Sequence, residues 1–246
     1  MRASLLSAQK KKVGCWLLLG LLAAAGCRRE GEPPGPSGAD YYPLAVGDFR
    51  IYDVVDTTWR LSARPTAIER YQLRERVDEE FTDAGGKTAF RVVRSKRLTA
   101  ADAWRDDSVL VVSPTATNVV VTAFNRRTVE LVFPVRENYE WDRDAFATTS
   151  PSSAVTRQFV DVGKPFALTW GGQTLDYPTT ATVYDKGFDP SCIPNWRRQV
   201  YAKGKGPVYR QFRSLSLDRN GTCVPATEYI SFGRSRTEVL REQGRM

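Results

Sequence analysis

The stretch Ile68-Glu69-Arg70-Tyr71-Gln72-Leu73-Arg74-Glu75-Arg76-Val77-Asp78-Glu79-Glu80-Phe81 decides the fold. Read with a period of two, Tyr71, Leu73, Val77 and Phe81 share one face, and Arg70, Gln72, Arg74, Arg76 and Glu80 take the other. Successive strand residues point to opposite sides of a sheet, so this alternation predicts a half-buried antiparallel strand. Asp83-Ala84-Gly85-Gly86-Lys87 then supplies a reversal, because aspartate bonds its own turn and glycine accepts positive φ. Residues 90–98 return, completing a hairpin.

Working outward, Tyr42-Pro43-Leu44 and Gly47-Asp48 read as a turn into a strand over 49–54. Further strands are expected over 108–113, 118–124, 128–135, 157–162, 166–170, 173–185, 197–202, 207–217 and 227–233. Asn125-Arg126-Arg127 makes a short connection, and Gly171-Gly172 and Asn220-Gly221 read as hairpin turns. The best helical stretch, 99–104, is one turn at most. The expectation is an all-β protein, an antiparallel sheet curled into a barrel, half-barrel or sandwich, with little helix. It forms one domain over 41–246, and no repeat of fixed period argues for a solenoid or propeller.

The N-terminus has a different character. Lys10, Lys11 and Lys12 precede an apolar run from Val13 to Gly26, and Arg28-Arg29-Glu30 follows at once. A basic flank, a short apolar core and small residues at its end describe a secretory signal peptide over 1–26. Val13 to Gly26 is too short for the roughly 20 apolar residues a spanning helix needs. Leu21-Leu22-Ala23-Ala24-Ala25-Gly26-Cys27 resembles the lipobox of bacterial lipoproteins, with Ala24 where that family usually has leucine. The resemblance implies cleavage before Cys27, a diacylglycerol on its sulfur and an acylated amino group. Residues 28–40 (RREGEPPGPSGAD) lack the apolar content to pack and read as a tether behind the lipidated cysteine. Arg28 in place of aspartate, by resemblance to the usual sorting rule, favours the outer membrane.

A second resemblance covers most of the remaining chain. Tyr41-Tyr42-Pro43-Leu44-Ala45-Val46-Gly47-Asp48 with Tyr52-Asp53-Val54 is similar to the opening of envelope lipoproteins common in Bacteroidetes. Val129-Glu130-Leu131-Val132-Phe133-Pro134-Val135 with Trp141-Asp142 resembles their central motif. Tyr201-Ala202-Lys203-Gly204-Lys205-Gly206-Pro207-Val208-Tyr209 resembles their late strand pair. Those proteins have no established activity, so the resemblance implies a location and a β fold rather than a reaction.

Composition narrows the chemistry. Loss of Arg2, Lys10, Lys11 and Lys12 with the signal peptide leaves 32 basic residues against 28 acidic ones, a net charge of +4 rather than +8. The basic residues mostly stand beside acids, as in Arg74-Glu75-Arg76, so no nucleic-acid surface is expected. The chain contains no histidine, which excludes Ser-His-Asp and Cys-His catalysis and His-ligated zinc. Methionine stands only at positions 1 and 246, which excludes Met-ligated copper. No transition metal and no cofactor is expected.

Three constellations remain. Glu137, Glu140, Asp142 and Asp144 are the densest acidic cluster. They suit Ca²⁺ ligation or a glycosidase carboxylate pair, against which Arg143 and the lack of a turn glycine favour solvated turn charges. Trp59, Trp104, Trp141, Trp170 and Trp196 suit a cleft for sugars or acyl chains, although aromatics in β proteins more often pack across strands. Of the four cysteines, Cys15 leaves with the signal peptide and Cys27 takes lipid, which leaves Cys192 and Cys223 to form a disulfide outside the cytoplasm. Closing that loop of roughly 31 residues stabilises by about 3.5–4 kcal/mol in the chain-entropy model. The functional expectation is a non-enzymatic binding or scaffold domain held to a membrane by lipid. Its partner would be an envelope protein, a glycan or a lipid. A carrier of hydrophobic ligands and a carboxylate-dependent hydrolase are the alternatives, and no catalytic residue is nominated.

Overall fold

The computed structural model describes residues 38–146, 155–186, 195–217 and 230–246. They form one sheet of twelve strands. The strands are β1 (Asp48–Ser62), β2 (Ala67–Thr82), β3 (Thr88–Arg97), β4 (Arg105–Pro114), β5 (Asn118–Ala123) and β6 (Arg126–Val132), followed by β7 (Glu140–Asp142), β8 (Thr156–Trp170), β9 (Gln173–Asp185), β10 (Asn195–Ala202), β11 (Gly206–Leu217) and β12 (Ile230–Arg245). Among the described residues the only helical element is a 3-10 turn, Ala39–Tyr41. No helix there is long and apolar enough to cross a membrane.

The strand order is β6-β5-β4-β3-β2-β1-β12-β11-β10-β9-β8-β7, with every neighbouring pair antiparallel. The chain therefore meanders from β1 outward to β6, and β12 lies back against β1 at the middle of the sheet. The sheet curls until its edges, β6 and β7, almost meet, giving a nearly closed barrel. Backbone and side-chain hydrogen bonds finish the closure. The Val129 amide donates to the Arg143 carbonyl at 2.8 Å. The Val129 carbonyl accepts from Trp141 Nε1 at 3.1 Å and from Arg157 Nη1 at 2.8 Å. An edge left open would present unpaired backbone groups to other chains, and this seam engages both backbone groups of Val129.

The alternation that predicts β2 holds: Tyr71, Leu73 and Val77 are buried. A register shift between Val77 and Glu79 then re-aims the strand, so Phe81 is only half-buried. The hairpin turn works as its residues suggest, with Asp83 Oδ1 accepting the amides of Gly85 and Lys87 at 2.8 and 2.9 Å. Residues 99–104 form a turn rather than a helix, because Asp102 Oδ2 takes both the amide and the hydroxyl of Thr99. The β5–β6 reversal sits on Phe124 and Asn125, both at positive φ, one residue earlier than the sequence suggests. The strands expected at 157–162 and 166–170 are one strand, β8, bent where Asp161 and Gly163 adopt positive φ and the register shifts. The strand expected to stop at 233 runs on to Arg245.

Two large apolar clusters, and a small one of Trp59, Leu215 and Ile230, fill the structure. One gathers Val92, Val112, Val119, Leu131, Trp141 and Phe159 beneath the seam. The other joins Tyr52, Val54, Leu73, Val200, Val208 and Leu240 with Tyr177 of the β8–β9 arm. Beyond its bend the arm lies over the outside of the barrel. Val239 is opposite both Asp53 and Tyr209 and shares their face, turned away from the inward Tyr52 and Arg210. Phe166 packs on Tyr209 with ring centroids 5.6 Å apart, and Arg241 Nη1 donates to Gln173 Oε1 at 2.6 Å. That cover leaves the outward Val239 with no exposure at all.

The antiparallel order brings the C-terminal ends of β9 and β11 and the N-terminal ends of β10 and β12 to one end of the barrel. The connections holding Cys192 and Cys223 leave from there, but both cysteines lie outside the described residues, as do the 1–26 segment and Cys27.

Candidate functional site

A recess of about 510 Å³ opens inside the barrel, where nine charged side chains share the wall with Leu110, Val121, Ala123, Phe124 and Phe212. Alternation on four strands explains why. Glu75 stands in the same row of β2 as Tyr71, Leu73 and Val77, so the pleat that buries those three also buries it. Arg94 of β3, Arg210 of β11, and Arg234, Arg236 and Glu238 of β12 reach the same space. The Arg210 fork grips Glu75, Nη1 to Oε1 at 2.9 Å and Nη2 to Oε2 at 3.1 Å, while Nη1 also donates to Glu238 Oε2 at 3.0 Å. The same guanidinium lies 4.9 Å from the ring centroid of Tyr52, and Arg94 Nη2 reaches Glu238 Oε1 at 3.5 Å. Next along β1, the buried Asp56 accepts from Arg234, Arg236 and the Tyr71 hydroxyl, at 2.9, 2.7 and 2.8 Å.

A second network stands at the seam. Arg157 has no exposure at all. Its Nη1 donates to Glu130 Oε2 at 3.0 Å, and its Nε donates to Asp185 Oδ1 at 3.3 Å. Arg143 continues the chain to Asp185 at 3.1 Å and to Asp144 at 2.9 Å, and the exposed Arg126 closes on Asp144 at 2.8 Å. Glu130 belongs to both places, because it also lines the recess.

The carboxylates are held ionised. Desolvation pushes the Glu75 carboxyl up, but the guanidinium of Arg210, followed by that of Arg94, outweighs it and holds the group at about 2. Desolvation likewise opposes ionisation of Glu130, and Arg157 and Arg197 bring it to about 2. Asp56 is held well below the usual carboxylate range, its hydrogen bonds from Arg236 and Arg234 overcoming burial. Burial pushes the Tyr201 phenol far up. That hydroxyl lies against Gln199 Oε1 and 3.3 Å from Glu130 Oε2. None of these groups is poised to exchange a proton at neutral pH, where a general acid or base would have to work. The arrangement offers fixed positive charge, hydrogen-bond donors and ring faces.

The residues singled out in the sequence lie elsewhere. Glu137 accepts the amides of Asp161 and Val162 at 3.2 and 2.7 Å. Glu140 pairs with Lys186 at 2.6 Å, and Asp142 accepts the Asp144 amide at 2.8 Å. The four acids thus have separate partners and do not converge, and no group of three or more potential metal ligands occurs among the described residues. Of the tryptophans, Trp59 and Trp141 are buried in the core. Trp104 is flanked by the guanidinium groups of Arg74 and Arg97, at 4.7 and 4.2 Å from its ring centroid. Trp170 stands at the tip of the arm and Trp196 on β10, and none of the five lines the recess. The charged residues that do line it were missed by reading the apolar face alone. Their signal was parity, a charged residue in the same row as buried neighbours.

No protein-family model, no curated protein and no solved structure matches this chain, so the site stands on its own geometry.

Proposed function

We propose that this is a lipid-anchored cell-envelope protein, of the outer membrane by the residue after Cys27, whose barrel is a binding domain and not a catalyst. The observation that carries the binding half is the ionic recess, where arginine forks lock the carboxylates in their charged form. A glycosidase needs one carboxyl to hold a proton near neutrality, and Glu75 and Glu130 are displaced in the opposite direction. A carrier of acyl chains needs an apolar lining, whereas Leu110, Val121, Ala123, Phe124 and Phe212 share this wall with nine charged side chains whose desolvation an acyl chain would not repay. The anchoring half rests on the basic flank, the apolar run and the cysteine at 27. A Cys192–Cys223 disulfide belongs to the same reading, since both cysteines would lie outside the cytoplasm.

Cys27→Ala tests the anchor. Wild type is expected in the detergent phase with a mass increased by its acyl groups, and the variant in the aqueous phase or unprocessed. Equal partition at equal mass would refute the lipid anchor.

A further inference from the structure

One strand of the recess differs from the rest. Arg94, Arg126, Arg210, Arg234 and Arg236 each have a carboxylate within 4.0 Å. Arg197, on the same lining, has none among the described residues. Its recorded contact is the ring of Phe212, directly opposite on β11, with the guanidinium carbon 5.5 Å from the centroid. Two residues along the same row stands Gln199, which is 6% exposed. Its Oε1 faces the Tyr201 hydroxyl, and its side chain lines the recess beside Arg197. A guanidinium fork and an amide NH₂, two residues apart on one strand, present hydrogen-bond donors to the cavity.

The charge around them has a sign. The lining carries six arginines against Glu75, Glu130 and Glu238, and Asp56 and Asp144 behind it pair with Arg234, Arg236 and Arg126, which leaves one positive charge in excess. Burial already lowers the Arg197 pKa, meaning that its cation lacks solvation that an oxyanion would restore. A planar guanidinium matches the two oxygens of a carboxylate or phosphate, and the pair is strengthened where water is scarce. The rest of the wall offers lone pairs on Glu130 and the ring faces of Tyr42 and Phe212, which suit hydroxyls and the C–H faces of a sugar. A cavity of about 510 Å³ falls within the usual roughly 300–1,000 Å³ of small-molecule sites.

We infer that the recess binds an acidic sugar, its carboxylate or phosphate seated on Arg197 and the Gln199 amide, with its hydroxyls toward Glu130. This rests on the binding reading above and deepens it. The two donors set the orientation, and the arginine–carboxylate pairs around them keep the remaining wall rigid. Calorimetric titration of the lipid-free folded domain with D-galacturonate, D-glucose 6-phosphate, D-galactose and decanoate tests it. One or both anionic sugars are expected to bind, and which of them does so distinguishes carboxylate from phosphate. Galactose and decanoate are expected to bind at least tenfold more weakly. Arg197→Gln is expected to weaken the anionic sugar at least tenfold and Gln199→Leu about threefold, with melting temperatures near wild type. Arg91→Gln, on the outer surface, is expected to leave binding unchanged. If Arg197→Gln fails to fold, Arg197→Lys with Gln199→Leu serves instead, with the same minimum loss expected. Binding of galactose or decanoate with undiminished affinity in Arg197→Gln would overturn the anion assignment while leaving a binding domain. No binding by any probe would overturn both.

Discussion

The barrel contains two arginine–carboxylate networks that look alike in composition and differ in setting. At the seam, Arg157 is wholly enclosed and its partners, Glu130 and the Val129 carbonyl on β6 and Asp185 on β9, belong to two other strands. In the recess, Arg210 keeps 19% of its side-chain exposure and stands against a cavity. The first network replaces a missing ladder between β6 and β7. The second adds nothing to strand pairing, because Glu75, Arg210 and Glu238 sit on strands already paired on both sides. Ion pairs that join an edge hold the fold closed, whereas ion pairs facing a cavity on an already complete sheet set the charge of its wall. Buried pairs are poor sources of net stability, and severing one is costly because it leaves the remaining charge without compensation.

The sharpest way to break the comparison is to remove Arg157. Arg157→Leu leaves the buried Glu130 without its paired cation, while Asp185 keeps Arg143 and the Val129 carbonyl keeps Trp141 Nε1, and a loss of about 3–5 kcal/mol in urea unfolding is expected. A loss under about 1 kcal/mol would show that the seam does not depend on it.

Acid attacks both networks, and the sign follows from the depressed pKa values. Glu75 and Glu130 titrate at about 2 when folded, below the ordinary carboxylate value of 4.5. Their contribution is therefore complete above about pH 5 and is lost as pH falls toward 2, on the order of 3 kcal/mol for each group. Unfolding free energy measured from pH 6 to pH 2 is expected to fall accordingly. Glu75→Gln is expected to flatten the slope without abolishing it, because Glu130 still titrates. A slope identical to wild type would remove Glu75 from the account.

The smallest effect is at the exposed end of the seam. Arg126 holds Asp144 from a side chain that is 59% exposed, and Asp144 keeps Arg143 without it. Arg126→Ala is expected to cost less than about 1 kcal/mol, the usual ceiling for a solvated pair. A larger loss in thermal unfolding would show that the seam network is cooperative out to its rim.

The two networks also mark where the sequence stopped being readable. The hairpin of β2 and β3 was legible because Tyr71, Leu73 and Val77 alternate with charged residues and Asp83 announces the turn. The second half of β12 was not, since Arg234, Arg236 and Glu238 occupy its inward row and leave no apolar stripe. A rule that places apolar residues inside ends that strand at Gly233, twelve residues short of Arg245. Closure was unreadable for another reason. Arg157 and Glu130 meet only because β6 and β8 are brought together across the sheet's whole curl, a pairing between positions 27 residues apart on strands that are not neighbours. The lining of the recess has the same origin, with Glu75 and Arg210 separated by 135 residues.

The pairing of β1 with β12 has a kinetic side. Asp48 lies opposite Arg245, 197 residues later, and the register between them runs nearly the length of both strands. While the chain is being synthesised, the edge of β1 that will take β12 has no partner until the last strand emerges. Contacts this distant in sequence close loops of high entropic cost and slow the folding of β proteins. Until then β1 presents an unpaired edge that can add strands from other chains. The central ladder of the finished barrel is thus the last to form, and a truncation after Leu217 would leave β1 and β11 each with an open edge.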